Sequence, residues 1–184
     1  MLQLIPLIDS RKVTNPEKSI FFAISGERHD GHNYLEELYT KGVRNFVVEK
    51  EADFSKFTNA KFKKVNNTLE ELQLQAAIHR KKYNIPVVGI TGSNGKTIVK
   101  EWLSEMLEPE EVVVKSPRSY NSQVGVPLSV FEIRNYHTIG IFEAGISQQG
   151  EMEQLEHIIA PTYGIFTNIG SAHNAGFLNL KTKI

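Results

Sequence analysis

Residues 87–107 constrain the chain more than any other stretch. Val87–Ile90 is an apolar, β-branched run that predicts a strand, and Thr97–Leu107 has the pattern of a helix. Between them the chain reads Thr91-Gly92-Ser93-Asn94-Gly95-Lys96-Thr97. Glycines let the backbone curl around an anion, and a helix N-terminus adds a partial positive charge. This strand–loop–helix order predicts a phosphate-binding loop of a nucleoside triphosphate site.

Two side chains in this loop have predicted roles. Lys96 supplies a full charge for the β- and γ-phosphates, and the Thr97 hydroxyl is placed to ligate Mg²⁺. The general pattern G-x-x-x-x-G-K-[ST] would need glycine at position 90, where this chain has Ile90. The loop is therefore a T-G-x-x-G-K-T variant. The alternative is a strand–turn–helix joint whose glycines do no more than permit the turn.

Composition excludes several classes of protein. Lys plus Arg and Asp plus Glu balance at 21 each in 184 residues, so no overall charge favours nucleic acid or a membrane surface. The chain has no Cys, which excludes disulfides and thiolate metal sites. No apolar run approaches the roughly 18 residues that a membrane-spanning helix needs, and the start lacks a secretory signal pattern. These features predict a cytoplasmic protein without nucleic-acid binding or membrane insertion.

The chain is expected to divide before Pro86, because the residue preceding a proline resists helical structure. Residues 1–84 are predicted to form a small α/β domain and residues 85–184 a second domain. The elements expected in the first part are strands Ser19–Ile24, Asn45–Val48 and Lys61–Val65, a helix over Tyr34–Lys41, and a helix from a capping box at Thr68 to Tyr83.

Strands and helices alternate in the second part. Beyond the loop, the expected strands are Glu111–Lys115, Thr138–Phe142 and Tyr163–Thr167, and the expected helices are Val124–Ile133 and Glu151–Ile159. This β-α-β-α order predicts a parallel sheet with helices on both faces. The fold class is therefore α/β: a small α/β domain followed by the first part of a parallel-sheet, phosphate-loop domain.

Polar side chains follow the strands of the second part. Glu143 follows one strand, and Asn168 and His173 follow another. Since ligands of such sheets lie beyond the carboxyl ends of the strands, these groups are expected on the phosphate side, where they suit a hard cation. The alternatives are a solvated carboxylate for Glu143, a hydrogen-bonded loop histidine for His173 and a turn former for Asn168.

The motifs together resemble the UDP-N-acetylmuramoyl-tripeptide–D-alanyl-D-alanine ligase family (MurF) of the Mur ligase superfamily. The stretches that carry the resemblance span nearly the whole chain. They are Asp9-Ser10-Arg11, the run from Gly26 to Tyr34 (GERHDGHNY), the loop 91–97, the run from Tyr120 to Pro127 (YNSQVGVP), Phe142-Glu143-Ala144-Gly145 and the run from Thr167 to His173 (TNIGSAH).

The chain also departs from the family. Ser119 and Ser122 stand where family members have Asn, and Ile98 follows Thr97 where Thr is common. The residues of several motifs are similar to those in the ligase half of a ligase–alanine racemase fusion. MurF-like ligases have three domains, so we expect a fragment that lacks the C-terminal ligase domain and is inactive as a ligase alone.

The resemblance implies an ATP-dependent carbon–nitrogen ligase of peptidoglycan synthesis. It implies ATP and Mg²⁺ as cofactors, and UDP-MurNAc-tripeptide and D-alanyl-D-alanine as substrates that react through an acyl phosphate. Lys96, His173 and Lys183 would be catalytic, Lys183 as a carbamylated lysine or else a charged, exposed chain end. Thr97, Glu143 and His173 would hold metal. The residues expected to bind the UDP substrate are Ser10, Arg11, Asp30, Gly31, His32 and Asn121.

Three other classes remain open at this point, one of them a scaffold whose phosphate loop is vestigial. A Mur-type ligase with another amino substrate, such as MurE, would share most of these motifs. A non-ligase phosphate-loop nucleotide-binding module would explain the loop but not the first two motifs.

Overall fold

The computed structural model describes residues 4–26, 29–51 and 53–170. The chain forms two compact units, Met1–Leu72 and Gln73–Ile184, and the division falls inside one helix. Packing therefore divides the chain earlier than the expected joint at residue 84. The assignment of residues 1–84 and 85–184 to separate functions stays a prediction.

The first unit is built on a parallel sheet of four strands in the order β1-β2-β3-β4. The strands are β1 (Ile5–Leu7), β2 (Ser19–Phe22), β3 (Asn45–Val48) and β4 (Lys61–Lys64). Short 3₁₀ turns and helix α1 (Leu35–Thr40) connect the strands, and helix α2 (Thr68–Arg80) follows the last. The carboxyl ends of all four strands therefore lie at one edge.

Aromatic rings fill the core of this unit. Phe46 of β3 lies parallel to Phe62 of β4 with 4.9 Å between ring centroids, and Phe62 stacks on Phe54 at 4.1 Å. Phe21 and Leu38 are buried in the same cluster. Burying large apolar side chains is the main stabilising term in such a unit.

The second unit has a parallel sheet in the order β6-β7-β5-β8. Its elements are β5 (Val87–Thr91), α3 (Lys96–Leu107), β6 (Val113–Lys115), α4 (Gly125–Val130), β7 (Ile139–Glu143), α5 (Glu151–Ile159) and β8 (Tyr163–Phe166). Both units confirm the α/β class predicted from the sequence, and the second sheet confirms the parallel strands predicted for it. Among the described residues, no helix combines the length and apolarity needed to cross a membrane.

Helix α3 is placed by its apolar side. Val99, Leu103 and Leu107 pack against Val88 and Ile141 of the sheet. These three helical positions recur at the spacing of one helix face. The first turn of α3 is therefore held at the end of β5, where the glycine loop lies.

Several local predictions were wrong. Strand β1 was not predicted, because three residues carry too little periodicity to read. The expected capping box at Thr68 is absent: the Asn67 side chain accepts hydrogen bonds from the N–H groups of Leu69 and Glu70, while Thr68 donates to the carbonyl of Ala23. Helix α4 ends at Val130 rather than at residue 133.

Candidate nucleotide and cation site

The loop between β5 and α3 lies at a topological switch point of the second sheet. The connection from β5 runs to β6 on one side of it, and the connection from β7 runs to β8 on the other. A crevice opens between the carboxyl ends of two such neighbouring strands, and it is the usual ligand site of open α/β sheets. Here β5 delivers the glycine loop to that crevice, and β7 delivers Glu143, its last residue.

The two loop glycines are required for different reasons. Gly92 has φ +128°, and a Cβ there would lie 2.1 Å from the Thr167 hydroxyl oxygen and 2.9 Å from the backbone of Asn168. Gly95 has φ +83° but open space around it. Gly92 thus allows a close backbone approach, whereas Gly95 supplies a left-handed turn directly before α3.

The end of β8 holds the loop in place. The N–H groups of Ser93 and Asn94 donate to the carbonyl and side-chain oxygens of Asn168, over 2.9 and 3.1 Å. The Thr167 hydroxyl donates to the carbonyl of Asn94 over 2.6 Å. The structure therefore places Asn168 on the same side of the sheet as the glycine loop, which it anchors.

Lys96 begins α3 and folds back over the loop. Its Nζ donates to the carbonyl of Gly92 over 2.6 Å, so the ammonium sits above the glycine turn. Partial burial lowers the pKa of Lys96, and the negative charge of Glu143 acts in the opposite direction. An ammonium in this position can donate to a phosphate oxygen in exchange for the carbonyl.

Thr97 and Glu143 meet across the crevice. The Thr97 hydroxyl donates to Glu143 Oε2 over 3.0 Å, and the Glu143 side chain is fully buried. The Glu143 N–H donates to the Ser116 hydroxyl over 3.1 Å, which fixes the strand end against the segment after β6. The carboxylate is therefore a buried group with a set direction, not the solvated loop residue of the alternative interpretation.

Sequence reasoning missed Lys100, the residue behind this carboxylate. Its side chain is completely buried, and Nζ lies 3.0 Å from Glu143 Oε1 and 3.0 Å from Glu101 Oε1. Nζ also donates to the carbonyls of Ser116, over 2.8 Å, and Arg118. The available signal was its position one helical turn after Lys96, on the same helix face.

The donor set suits a hard cation bound together with phosphate. Among the described residues, no group of three or more His, Cys, Asp or Glu side chains could hold a metal ion by itself. The oxygen of Glu143 that meets Thr97 across the crevice is Oε2, which accepts from the Thr97 hydroxyl. One hydroxyl and one buried carboxylate match the way Mg²⁺ is held, by few protein ligands together with substrate phosphates. The residues present therefore fit Mg²⁺.

A pocket of about 310 Å³ opens beside Lys96 and is lined also by Asn121 and Ser122. The Asn121 carbonyl accepts from the N–H of Gly145 over 2.8 Å, which ties the segment before α4 to the end of β7. Ser122, at a position where the resembled family has Asn, accepts from the N–H of Gly125 through its hydroxyl. Serine and asparagine are both good acceptors at helix starts, so this departure preserves the local structure.

In the first unit the predicted residues Asp30, Gly31 and His32 form a compact turn at the carboxyl edge. Asp30 accepts from the N–H of His32 over 3.0 Å and lies 2.7 Å from its Nδ1, and the Lys50 ammonium also donates to Asp30. His32 Nε2 accepts from the N–H groups of Glu49 and Lys50. His32 therefore carries its proton on Nδ1, which faces Asp30, while Nε2 binds the backbone that follows β3.

Gly31 is fixed by space, because a Cβ there would lie 2.8 Å from the backbone of Ala23. Asp30 also caps the 3₁₀ turn that leads into α1. The reason is that the Asp30 carboxylate reaches the N–H of His32 directly.

Ser10 and Arg11 lie at the same edge, in the 3₁₀ turn after β1. Arg11 is exposed and pairs with Asp9 through two hydrogen bonds of 2.9 Å. Ser10 is buried and donates to Glu37 over 3.4 Å. The structure thus brings Ser10, Arg11 and the Asp30 turn to one edge of the first sheet, while Asn121 lies beside Lys96 in the second unit. His173 and Lys183 lie outside the described residues.

Comparison with known proteins agrees with this geometry. The model of the Mur ligase middle domain matches residues 90–182, and that of the Mur ligase family catalytic domain matches residues 7–110. A UDP-N-acetylmuramoyl-tripeptide–D-alanyl-D-alanine ligase of Treponema pallidum is 37% identical over 174 residues, which are 90% of this chain and 37% of that protein. The chain therefore spans well under half the length of this relative.

Solved structures give the same result. MurF from Acinetobacter baumannii superimposes with a TM-score of 0.88 at 29% identity, over 97% of this chain and 38% of that one. The MurF ligase of Thermotoga maritima in complex with ADP superimposes with a TM-score of 0.83 at 29% identity, over 94% of this chain and 39% of that one. With two family models each matching half of its residues or more, the chain belongs to the Mur ligase family.

Proposed function

We propose that the whole protein is an ATP-dependent ligase that adds D-alanyl-D-alanine to UDP-MurNAc-tripeptide in peptidoglycan precursor synthesis. The observation that carries the proposal is the Thr97–Glu143 hydrogen bond directly beside the Lys96 loop, at a sheet switch point. The names of the matched relatives supply the substrates. Because the chain aligns with 37% of the Treponema protein, the ligase reaction is proposed for the whole protein.

The reaction divides into two steps. The terminal carboxylate of the tripeptide attacks the γ-phosphorus of ATP, ADP leaves, and an acyl phosphate forms. The amine of D-alanyl-D-alanine then attacks the acyl carbon, inorganic phosphate leaves and the amine loses a proton. Several anions meet in the first step, so positioning and positive charge supply most of the catalysis.

The described residues divide these tasks. Lys96 moves from the Gly92 carbonyl to the β- and γ-phosphates, and the loop 91–97 with the start of α3 binds the phosphate chain. Thr97 and Glu143 hold Mg²⁺, which neutralises charge on the phosphates when bound. His173 and Lys183 are proposed as the further catalytic groups. For unit Met1–Leu72, we propose that Ser10, Arg11 and the Asp30 turn hold the UDP part of the substrate, and that Asn121 contacts the substrate beside Lys96. A cytoplasmic location is part of the same proposal.

Lys96→Ala tests the nucleotide site. Loss of a hydrogen bond to a charged partner costs about 1.5–3 kcal/mol, which corresponds to roughly a 10- to 100-fold weaker Kd for ATP–Mg²⁺. Calorimetry on the 184-residue chain measures it, and Lys81→Ala, an exposed lysine of the same unit, is the control. Unchanged ATP affinity in Lys96→Ala would reject the loop as a nucleotide site.

Ligand-induced thermal shifts separate this proposal from a MurE-type ligase and from a nucleotide-binding module. Stabilisation by UDP-MurNAc-tripeptide together with ATP–Mg²⁺ supports a Mur ligase, and D-alanyl-D-alanine incorporation by the whole protein separates MurF from a MurE-type enzyme. A response to ATP–Mg²⁺ without any response to UDP or the UDP-sugar supports a nucleotide-binding module instead.

A further inference from the structure

Lys100 is an unusual residue to find inside a helix-on-sheet interface. Its side chain has no exposed area, yet it is a lysine, a type that is almost never fully buried unless it is paired. The ammonium must therefore find its partners within the fold. Those partners include the one carboxylate that the proposed function assigns to the cation.

Four oxygens surround the Lys100 ammonium, and it has three N–H bonds. Two are committed to the carbonyls of Ser116 and Arg118. The remaining contacts are the Oε1 atoms of Glu101 and Glu143, each 3.0 Å away. Because Glu143 Oε1 accepts no hydrogen bond within the described residues, its contact with Lys100 is one of charge.

The two oxygens of Glu143 are thereby made unequal. Oε1 faces the buried ammonium, whereas Oε2 accepts the hydrogen bond from Thr97 across the crevice. The Lys100 ammonium, 3.0 Å from Oε1, repels any second cation near that oxygen, so a metal ion beside Thr97 can use Oε2 alone. Its hydrogen bonds to the carbonyls of Ser116 and Arg118 keep the ammonium in this position.

We propose that Lys100 is a positioning residue that restricts Glu143 to one coordinating oxygen and so makes the site select Mg²⁺ over Ca²⁺. Mg²⁺ takes near-octahedral coordination with single carboxylate oxygens and keeps several waters. Ca²⁺ takes six to eight oxygens and readily uses both oxygens of a carboxylate. Because Oε1 faces the Lys100 ammonium, Ca²⁺ lacks the second carboxylate oxygen that it would use, whereas Mg²⁺ binding is little affected. This inference rests on the proposed nucleotide–cation site.

The test is the ratio of ATP affinities with Ca²⁺ and with Mg²⁺, measured by calorimetry on the 184-residue chain. In the parent chain, Mg²⁺ should support tighter binding than Ca²⁺ by about tenfold or more, and Lys100→Met should move the ratio towards Ca²⁺ by about tenfold. A merely structural role for Lys100 would weaken binding with both ions alike and leave the ratio unchanged. Lys100→Arg keeps a cation beside Oε1 and should keep the parent ratio.

Lys115→Met is the matched control, because Lys115 pairs with Glu101 and Glu108 in the same charge cluster. Its ratio should equal that of the parent. A ratio in Lys100→Met within twofold of the parent overturns the proposal. If Lys100→Met does not fold, the test is the parent chain alone. Equal ATP affinities with Ca²⁺ and with Mg²⁺ in the parent then overturn the proposal. Failure of the proposed site itself looks different, since the parent would then bind ATP equally with and without any divalent cation.

Discussion

The hydroxyl of Thr97 donates a 3.0 Å hydrogen bond to Oε2 of the fully buried Glu143. The two residues are 46 positions apart in the chain, and each closes one side of the crevice between β5 and β7. A hydroxyl oxygen and a carboxylate oxygen at this distance can both coordinate the same cation. The proposed cation site therefore predicts that this pair links the stability of the crevice to cation binding.

Thr97→Val tests this link, because valine keeps the shape of the side chain without the hydroxyl. The variant should lose about 1–3 kcal/mol of unfolding free energy, since Glu143 Oε2 loses its donor inside the protein. The Mg²⁺-dependent part of ATP affinity should also fall, while ATP affinity in EDTA stays constant. Denaturant unfolding and calorimetry measure the two effects. Thr97→Ser restores the hydroxyl and should behave as the parent; a valine variant that keeps its Mg²⁺ dependence contradicts the assignment.

The two loop glycines give a paired prediction. Gly95→Ala meets open space at φ +83°, so it should cost about 1–2 kcal/mol, the penalty of a left-handed residue. Gly92→Ala adds overlap with Thr167 and Asn168 and should cost about 2–5 kcal/mol. Thermal unfolding of both variants side by side measures the difference. Equal losses would mean that the loop is not held against the end of β8.

The sequence could predict most of the fold because its signals are local. Asn45–Val48 and Glu151–Ile159 were predicted with the observed bounds, since turn residues and a clear period frame each of them. Capping of α2 could not be predicted as reliably. Asn67 and Thr68 are both good caps, and the choice depends on Thr68 reaching the Ala23 carbonyl from a distant strand.

In the candidate site, too, some residues could be predicted from the sequence and others could not. The glycine loop and Glu143 could be found because strand-end positions are readable from the order of strands. Lys100 could not, because a lysine in a helix normally faces solvent. Its burial depends on carbonyls of Ser116 and Arg118 that arrive from the segment after β6. Tertiary structure, not the local sequence pattern, therefore brings Lys100 next to the Glu143 carboxylate.

Acid should weaken the first unit through Asp30. The Lys50 ammonium, followed by the N–H and ring of His32, holds the pKa of Asp30 well below its ordinary value of 3.8. A carboxyl whose pKa is lowered by folding stabilises the protein above its unfolded pKa, and this contribution is lost as pH falls through the folded pKa. Asp30→Asn should therefore cost about 1–3 kcal/mol at pH 7 and progressively less below about pH 4.

Urea unfolding of the parent and Asp30→Asn between pH 7 and pH 2 measures this convergence. Glu105→Gln, on the exposed side of α3, is the control and should show a constant offset from the parent. A gap between parent and Asp30→Asn that stays constant with pH would show that the Lys50–Asp30 contact carries no charge-dependent stability.

The last prediction concerns recognition of UDP at the carboxyl edge of the first sheet. Arg11 is an exposed cation there: its side chain is 86% exposed, and the Asp9 carboxylate holds its guanidinium through two hydrogen bonds of 2.9 Å. A guanidinium fixed in this way keeps donors for a diphosphate or a uracil carbonyl while losing little rotamer freedom on binding.

Arg11→Ala in the 184-residue chain should therefore weaken UDP binding roughly 10- to 100-fold, the equivalent of a charged hydrogen bond. Arg11→Lys should recover only part of it, because an ammonium lacks the planar fork. Calorimetry with UDP measures both, and Lys61→Ala, an exposed lysine of β4, is the control. His32→Ala is a different case, since it also removes the acceptor of the Glu49 and Lys50 N–H groups and should lower stability. UDP affinity that survives Arg11→Ala unchanged would move the uridine site away from the Asp9–Arg11 turn.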